Sequence, residues 1–281
     1  MNILEDLNIS GRVVVITGGA GMLGSQYADT ILSSDGIPII LDINENSIGQ
    51  IELELKTKYA RGDFLTLNCD ITDVDAVRQA KENILSKYSK IDALVNNAAN
   101  NADFGEYKSG KQNSQWSRFE KFPLDRWNDD ISVGLTGAFI CSQIFGEIIA
   151  KTGHGVILNI SSDLSVIAPD HRLYELPDLD RNEQPVKPVS YSVVKSGLLG
   201  LTRYLATYWP ESGLRANTLS LGGVYTADLD SDFVSRIQNL IPLDRMASLD
   251  EYNAAVLFMI SDASKYINGQ NIVIDGGRTI W

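Results

Sequence analysis

Cysteine is nearly missing from this chain of 281 residues: Cys69 and Cys141 are the only two, each inside an apolar or strand-like segment. Two such residues support neither a disulfide framework nor a zinc site, so both read as packing residues and no metal is expected. Basic residues are also scarce, 24 against 36 acidic, which leaves a formal charge of −12 and a pI near 4.6. That balance argues against nucleic acid or an anionic membrane surface as partner, while leaving room for a local basic pocket. The segment from Met1 to Ser10 holds Glu5 and Asp6, no basic cluster, and no apolar stretch long enough for a signal or a membrane span. A soluble, cytoplasmic protein is therefore expected. Internal repeats, low-complexity tracts and inter-domain linkers are absent too, so the whole of 1–281 is read as one domain.

What the chain has is enough apolar material, 44% of its residues, to bury a substantial core. Short runs rich in β-branched residues predict strands at about 12–17, 37–42, 63–69, 91–95, 155–160, 214–220 and 271–275. Helical periodicity predicts helices near 22–34, 73–89, 125–151, 190–209 and 248–262. Strands alternating with helices specify βα crossovers, and hence an α/β fold: a Rossmann-like, doubly wound parallel sheet in three α/β/α layers. Two polar stretches interrupt the pattern, at about 100–123 and 168–188. Both follow the C-terminal ends of predicted strands, where open α/β sheets bind ligands, although a surface insertion or an oligomer contact would look the same.

Directly after the first strand comes Thr17-Gly18-Gly19-Ala20-Gly21-Met22-Leu23-Gly24, which leads into an apolar helix. Glycines here permit a tight turn, let backbone amides approach a pyrophosphate, and let the helix N-terminus face the negative charge. The next strand ends in Leu41-Asp42, about twenty residues further on. A carboxylate there accepts hydrogen bonds from the adenosine ribose and repels a 2′-phosphate, and no Arg or Lys stands in the glycine loop or beside Asp42 to offset it. NAD is accordingly expected in preference to NADP. Asp42 also reads as a helix N-cap, a common place for aspartate.

Tyr191-Ser192-Val193-Val194-Lys195 opens an amphipathic helix, and the four-residue spacing puts phenol and ammonium on one face. A neighbouring cation stabilises phenolate and brings the tyrosine toward proton exchange. The pair has company: Asn159-Ile160-Ser161-Ser162 ends one strand, Asn96-Asn97-Ala98-Ala99 and Cys69-Asp70 follow two others, and Ile274-Asp275-Gly276-Gly277 lies near the C-terminus.

This ordered set resembles the short-chain dehydrogenase/reductase family over nearly the full chain. The resemblance implies an NAD-dependent oxidoreductase acting on a CH–OH group. Within it, Ser162 orients and polarises the substrate oxygen, Tyr191 transfers the proton, and Lys195 holds the nicotinamide ribose while assisting Tyr191. Ser161 is an adjacent rival for the serine role. Cofactor contacts are implied at Gly18, Gly21, Met22, Leu23, Gly24, Asp42, Asp70, Ile71, Asn97, Ala98, Val224 and Thr226, together with Tyr191 and Lys195, and adenosine-side contacts near Asn96. The hydride chemistry itself belongs to the cofactor.

The chain departs from the family's ordinary branch in several places. Its glycines stand at 18, 21 and 24, similar to the extended branch that acts on nucleotide-linked sugars, with Met22 where the ordinary branch has its second glycine. The separation of Ser162 and Tyr191 is long, 191 − 162 = 29 positions, which also resembles the extended branch. The relay asparagine expected seven positions after a tryptophan such as Trp127 is replaced by Gly134, and Leu221 stands before Gly222 where the family has proline. The polar stretch with Asp170, His171, Arg172, Tyr174, Glu175, Arg181 and Lys187 suits a hydroxyl-rich or phosphorylated substrate: a sugar, sugar phosphate or nucleotide sugar. His171 and Arg172 read equally well as solvated loop residues.

The combination resembles flagellin-modification and surface-polysaccharide oxidoreductases. The alternatives are a nucleotide-sugar epimerase or dehydratase that recycles NAD, with Asp163 as its acid, and a non-catalytic NAD-binding regulator. A homodimer or homotetramer is implied by the resemblance, with the helices near 125–151 and 190–209 as interface elements.

Overall fold

The Val-Val-Val-Ile-Thr run forms β1, Val13–Thr17, and every residue of it is buried, as a central parallel strand covered on both faces requires. A computed structural model describes residues 3–100, 114–177 and 179–281. The other strands are β2 (Ile37–Asp42), β3 (Leu65–Asn68), β4 (Ala93–Asn96), β5 (Val156–Ser162), β6 (Arg215–Leu221) and β7 (Asn271–Ile274). All pair in parallel in one sheet of order β3-β2-β1-β4-β5-β6-β7. The seven predicted strands are all present, with ends shifted by a residue or two. The order reverses between β1 and β4, which opens a crevice beyond their C-terminal ends.

Period-two alternation sorts the sheet residues into two cores. Val14 and Ile16 pack with Tyr27 and Ile31 of α2 (Met22–Ser33) and with Val256 and Met259 of α9 (Asn253–Ile260). Val13 and Val15 face the other way, toward Val77 and Ile84 of α4 (Val74–Tyr88), Phe145 of α6 (Gly137–Ile149) and Leu205 of α7 (Val189–Tyr208). This is the three-layer arrangement read from the sequence.

The remaining helices are α1 (Ile3–Asp6), α3 (Glu45–Lys58), α5 (Leu124–Ile131) and α8 (Ser231–Gln238). Three of these, α1, α3 and α8, lie outside the sequence expectation. Helix α3 buries only Ile51 and Leu55, too thin a stripe to register as periodic, although Asn44 caps it by accepting from the Ser47 amide. Helix α8 is short, started by Asp230 accepting from the Asp232 and Phe233 amides. The single helix expected at 125–151 is interrupted by a π turn at Ser132–Thr136. The rod Leu124–Thr152 has the length and hydropathy, 1.6, of a membrane-crossing helix, but 56% of that apolar window is buried inside the protein.

Of the first polar stretch, 101–113 lie outside the described residues. In the second, Leu173 and Tyr174 are buried against Phe233 and Ile237 of α8, with the Tyr174 and Phe233 ring centroids 5.6 Å apart. The second stretch is therefore anchored by its few apolar residues.

Phe145 is wholly buried under the sheet. Phe145→Ala is expected to destabilise the fold by about 3–5 kcal/mol, read as a lower urea midpoint at an unchanged slope.

Candidate active site

The glycine loop is shaped by lack of room. Gly18 has φ +59°, and a Cβ there would lie 2.9 Å from the Ala98 Cα. A Cβ on Gly24 would come within 2.2 Å of the Gly18 carbonyl oxygen, so the first turn of α2 meets the loop backbone directly. Gly21 precedes that helix without any side-chain cap, leaving first-turn amides free to face the crevice. Met22 is exposed at the loop, whereas Leu23 packs on the core.

Two side chains hold the loop from neighbouring strand ends. The Asn97 amide donates to the carbonyls of Thr17 and Gly18, each at 3.1 Å, and the Asn97 and Ala98 backbone amides donate to Thr17 Oγ1 at 3.0 and 3.1 Å. Asp42 Oδ2 accepts from the Ala20 amide and Oδ1 from the Asn44 amide, both at 3.0 Å. The cap of α3 is Asn44, so Asp42 is not itself the N-cap; it joins the end of β2 to the glycine loop. Asp70 Oδ1 accepts from the Thr72 amide and hydroxyl at 2.8 and 2.7 Å beside buried Ile71. A side-chain-free cradle, an uncapped helix N-terminus and a carboxylate at the end of β2 fit a dinucleotide. Across the crevice, Val224 bridges Ala247 after β6, and the Thr226 hydroxyl bonds Asp228.

On α7, Tyr191 and Lys195 stand one turn apart, with the Lys195 ammonium 5.8 Å from the phenol ring centroid. Lys195 is buried and donates to the Ile160 carbonyl at 3.0 Å. Its burial pulls its pKa down to about 8. Lys187 lies closer still, 3.8 Å from the same ring centroid, and burial likewise lowers it to about 8. The Tyr191 phenol is held above its ordinary range, chiefly by burial and also by the charge of Asp163, while Ser162 and Arg278 act in the opposite sense.

The two serines at the end of β5 have different surroundings. Ser161 donates to the Lys195 backbone carbonyl at 2.8 Å and so fastens the helix to the sheet. Ser162 meets Tyr191, donates to Asp163 Oδ1 at 2.8 Å and accepts from the Leu164 amide at 3.2 Å. Asn96 is directed inward: its amide donates to Asn159 at 2.8 Å, Asn159 donates to Thr202 at 2.7 Å, and Thr202 meets Thr218 at 2.7 Å. The loop contact on the crevice side comes from Asn97, one position later.

Of the polar residues in the second stretch, Lys187 reaches Tyr191. Arg172 is exposed and pairs with Asp170 at 2.7 Å, and Tyr174 is buried in the small cluster with α8. Sequence reasoning missed Arg278, whose guanidinium pairs with Asp163 Oδ2 at 2.7 Å, both side chains buried. Its only sequence signal is its place just after Gly276 and Gly277. Among the described residues, no cluster of three His, Cys, Asp or Glu side chains could hold a metal.

The family pattern described as short chain dehydrogenase matches residues 12–173, and that described as enoyl-(acyl carrier protein) reductase matches 182–279. The chain is 28% identical to post-translational flagellin modification protein A of Campylobacter coli, over 96% of this chain and 98% of that protein. It is also 28% identical to D-threitol dehydrogenase of Mycolicibacterium smegmatis, over 98% and 95% of the two chains. A short chain dehydrogenase from Leptospira borgpetersenii, solved with bound NAD+, superposes with a TM-score of 0.81 at 29% identity, covering 100% of this chain and 97% of that one.

Gly134 sits in the π turn, and a Cβ there would lie 2.5 Å from Val194 Cγ1, so Val194 occupies the space a larger residue would need. Gly134→Asn is expected to lower the melting temperature by several degrees, for about 1–3 kcal/mol of overpacking, and Gly134→Asn with Val194→Ala to recover most of it. Equal melting temperatures for the two variants would remove this account.

Proposed function

This chain belongs to the short-chain dehydrogenase family, and from that premise we propose that it interconverts a secondary alcohol and a ketone on a small polyol or sugar, with NAD as cofactor. The observation that carries the proposal is the meeting of Ser162, Tyr191 and Lys195 at the sheet edge beside the glycine crevice. Gly18, Gly21, Gly24 and Asp42 would hold the cofactor, which supplies the hydride acceptor or donor when bound. Ser162 aligns the substrate oxygen. In oxidation the Tyr191 oxygen takes the alcohol proton as the carbinol carbon loses hydride; in reduction the Tyr191 hydroxyl returns that proton to the carbonyl oxygen. Lys195 stabilises the phenolate form between these states.

Preference for NAD is supported by Asp42, which places a carboxylate 3.0 Å from the Ala20 amide, with no Arg or Lys in the loop 18–24. A second anion about 4 Å away would cost on the order of 4 kcal/mol at an effective dielectric of 20. A polyol or sugar substrate is supported by the relative named for D-threitol, and a place in surface-glycan formation by the relative named for flagellin modification. The dehydratase alternative is left without a free acid beside the serine, since Asp163 is engaged with Arg278.

Incubation with NAD and a panel of polyols and sugar phosphates is expected to produce substrate-dependent absorbance at the reduced-nicotinamide band. Tyr191→Phe should lower kcat by about 10²-fold or more; turnover equal to the wild type would sink the proposal. Because burial holds the Tyr191 phenol above its ordinary range, the base form grows as pH rises. Oxidation kcat/KM should therefore increase through the alkaline range while ketone reduction falls, and a flat profile for both would contradict Tyr191 as the proton carrier. Asp42→Ala should narrow the preference for NAD over NADP by at least about tenfold, measured as the ratio of kcat/KM values.

A further inference from the structure

The C-terminal turn sends an arginine into the active site, where it pairs with a carboxylate adjacent to the serine. Gly276 and Gly277 both adopt left-handed backbone, at φ +67° and +91°. The Asp275 carboxylate accepts from the Gly277 and Thr279 amides at 2.9 and 2.7 Å, which fixes the turn. A Cβ on Gly222 would lie 2.9 Å from the Asp275 Cα, so the turn is seated tightly on the end of β6. From that seat Arg278 Nη1 reaches Asp163 Oδ2 at 2.7 Å, with side-chain exposures of 7% and 3%. The other Asp163 oxygen, Oδ1, accepts from the Ser162 hydroxyl at 2.8 Å.

With the guanidinium donating to one oxygen and the seryl hydroxyl to the other, Asp163 is an acceptor at both. The bond between Ser162 and Asp163 thus has one sense: the seryl proton points at Asp163. One Ser162 lone pair takes the Leu164 amide at 3.2 Å, and the same hydroxyl lies within hydrogen-bond reach of Tyr191. We infer that Arg278 and Asp163 are positioning residues that act through Ser162, fixing the direction of its hydroxyl and so the way it meets Tyr191 and the substrate oxygen. The inference rests on the reading of Ser162, Tyr191 and Lys195 as a dehydrogenase site. The seryl proton is held on Asp163, and a substrate oxygen, alcohol or ketone, has to draw it away, while the alcohol proton goes to Tyr191. The charged and titratable groups around Asp163 are Arg278 from the C-terminal turn, Lys187 and Tyr191 from the entry and first turn of α7, and Tyr252 before α9.

The test is a cycle of four proteins: wild type, Asp163→Asn with Arg278→Met, Ser162→Ala, and the combination of all three. Replacing both charges together leaves no unpaired ion in the interior, which protects the fold. With the best alcohol found, the paired substitution is expected to lower kcat about ten- to a hundredfold when Ser162 is present. In the Ser162→Ala background it should cost less than about twofold, with the KM for NAD changed by no more than that in either. An equal loss in both backgrounds, or no loss beside Ser162, overturns the inference. Ultraviolet titration of Tyr191, taken as the difference from the matching Tyr191→Phe protein, reads the same cycle without any substrate. The paired substitution should move the onset of Tyr191 ionisation when Ser162 is present and leave it in place in Ser162→Ala; equal shifts overturn the inference. Absence of turnover in the wild type with every alcohol would instead count against the dehydrogenase reading, and the titration would still decide the role of Arg278 and Asp163.

Discussion

Lys195 has to keep an ammonium in the interior, and much of the site is arranged around that requirement. Removing such an ion from water costs several kcal/mol unless partners are placed for it. The Ile160 carbonyl takes one of its protons at 3.0 Å, and the phenol ring of Tyr191 lies on the same helical face. Ser161 then fastens the lysine's own backbone carbonyl to β5 at 2.8 Å, so head and backbone are both tied to one strand end. Burial lowers the ammonium to about 8, within reach of proton exchange near neutral pH. A surface lysine at the same spacing would have neither the constraint nor the lowered value.

A buried polar chain supports this geometry from behind. Asn96, Asn159, Thr202 and Thr218 link β4, β5, α7 and β6 through contacts of 2.7–2.8 Å. Such chains are rigid because each broken link leaves a desolvated group without a partner. The strands carrying Asn97 and Ser162 are therefore locked to the helix carrying Tyr191 and Lys195. The glycine loop is locked to the same unit through Asn97, which donates to the Thr17 and Gly18 carbonyls. Cofactor cradle and proton-transfer pair thus share one hydrogen-bonded frame.

These facts explain what the sequence could and could not reveal. The strands were legible because a parallel strand buried on both faces must be apolar throughout, as Val13 to Ile16 are. The glycine loop, Asp42 and the Tyr191 and Lys195 pair were legible because their spacing is local. The π turn at 132–136 was not, since one extra residue per turn leaves the apolar character of the surrounding helix unchanged. Polar composition at 168–188 pointed toward substrate contacts, yet Arg172 and Asp170 pair at the surface and apolar Leu173 and Tyr174 hold the segment down. The partnership of Asp163 and Arg278 spans 115 positions, and no local pattern encodes a contact between residues so far apart.

The charges around Tyr191 define how the site is poised. Two ammonium groups lie 3.8 and 5.8 Å from its ring centroid and favour phenolate, while burial and Asp163 favour phenol. The phenol form prevails, because desolvation of the charged form outweighs cations that are themselves partly neutralised by burial at about 8. One further positive charge about 5 Å away contributes on the order of 3 kcal/mol at an effective dielectric of 20, equivalent to about two pH units of tyrosine ionisation. A ligand that is positive near Tyr191 would therefore shift the tyrosine toward its base form by about that amount, in the same sense as Arg278 and against burial and Asp163.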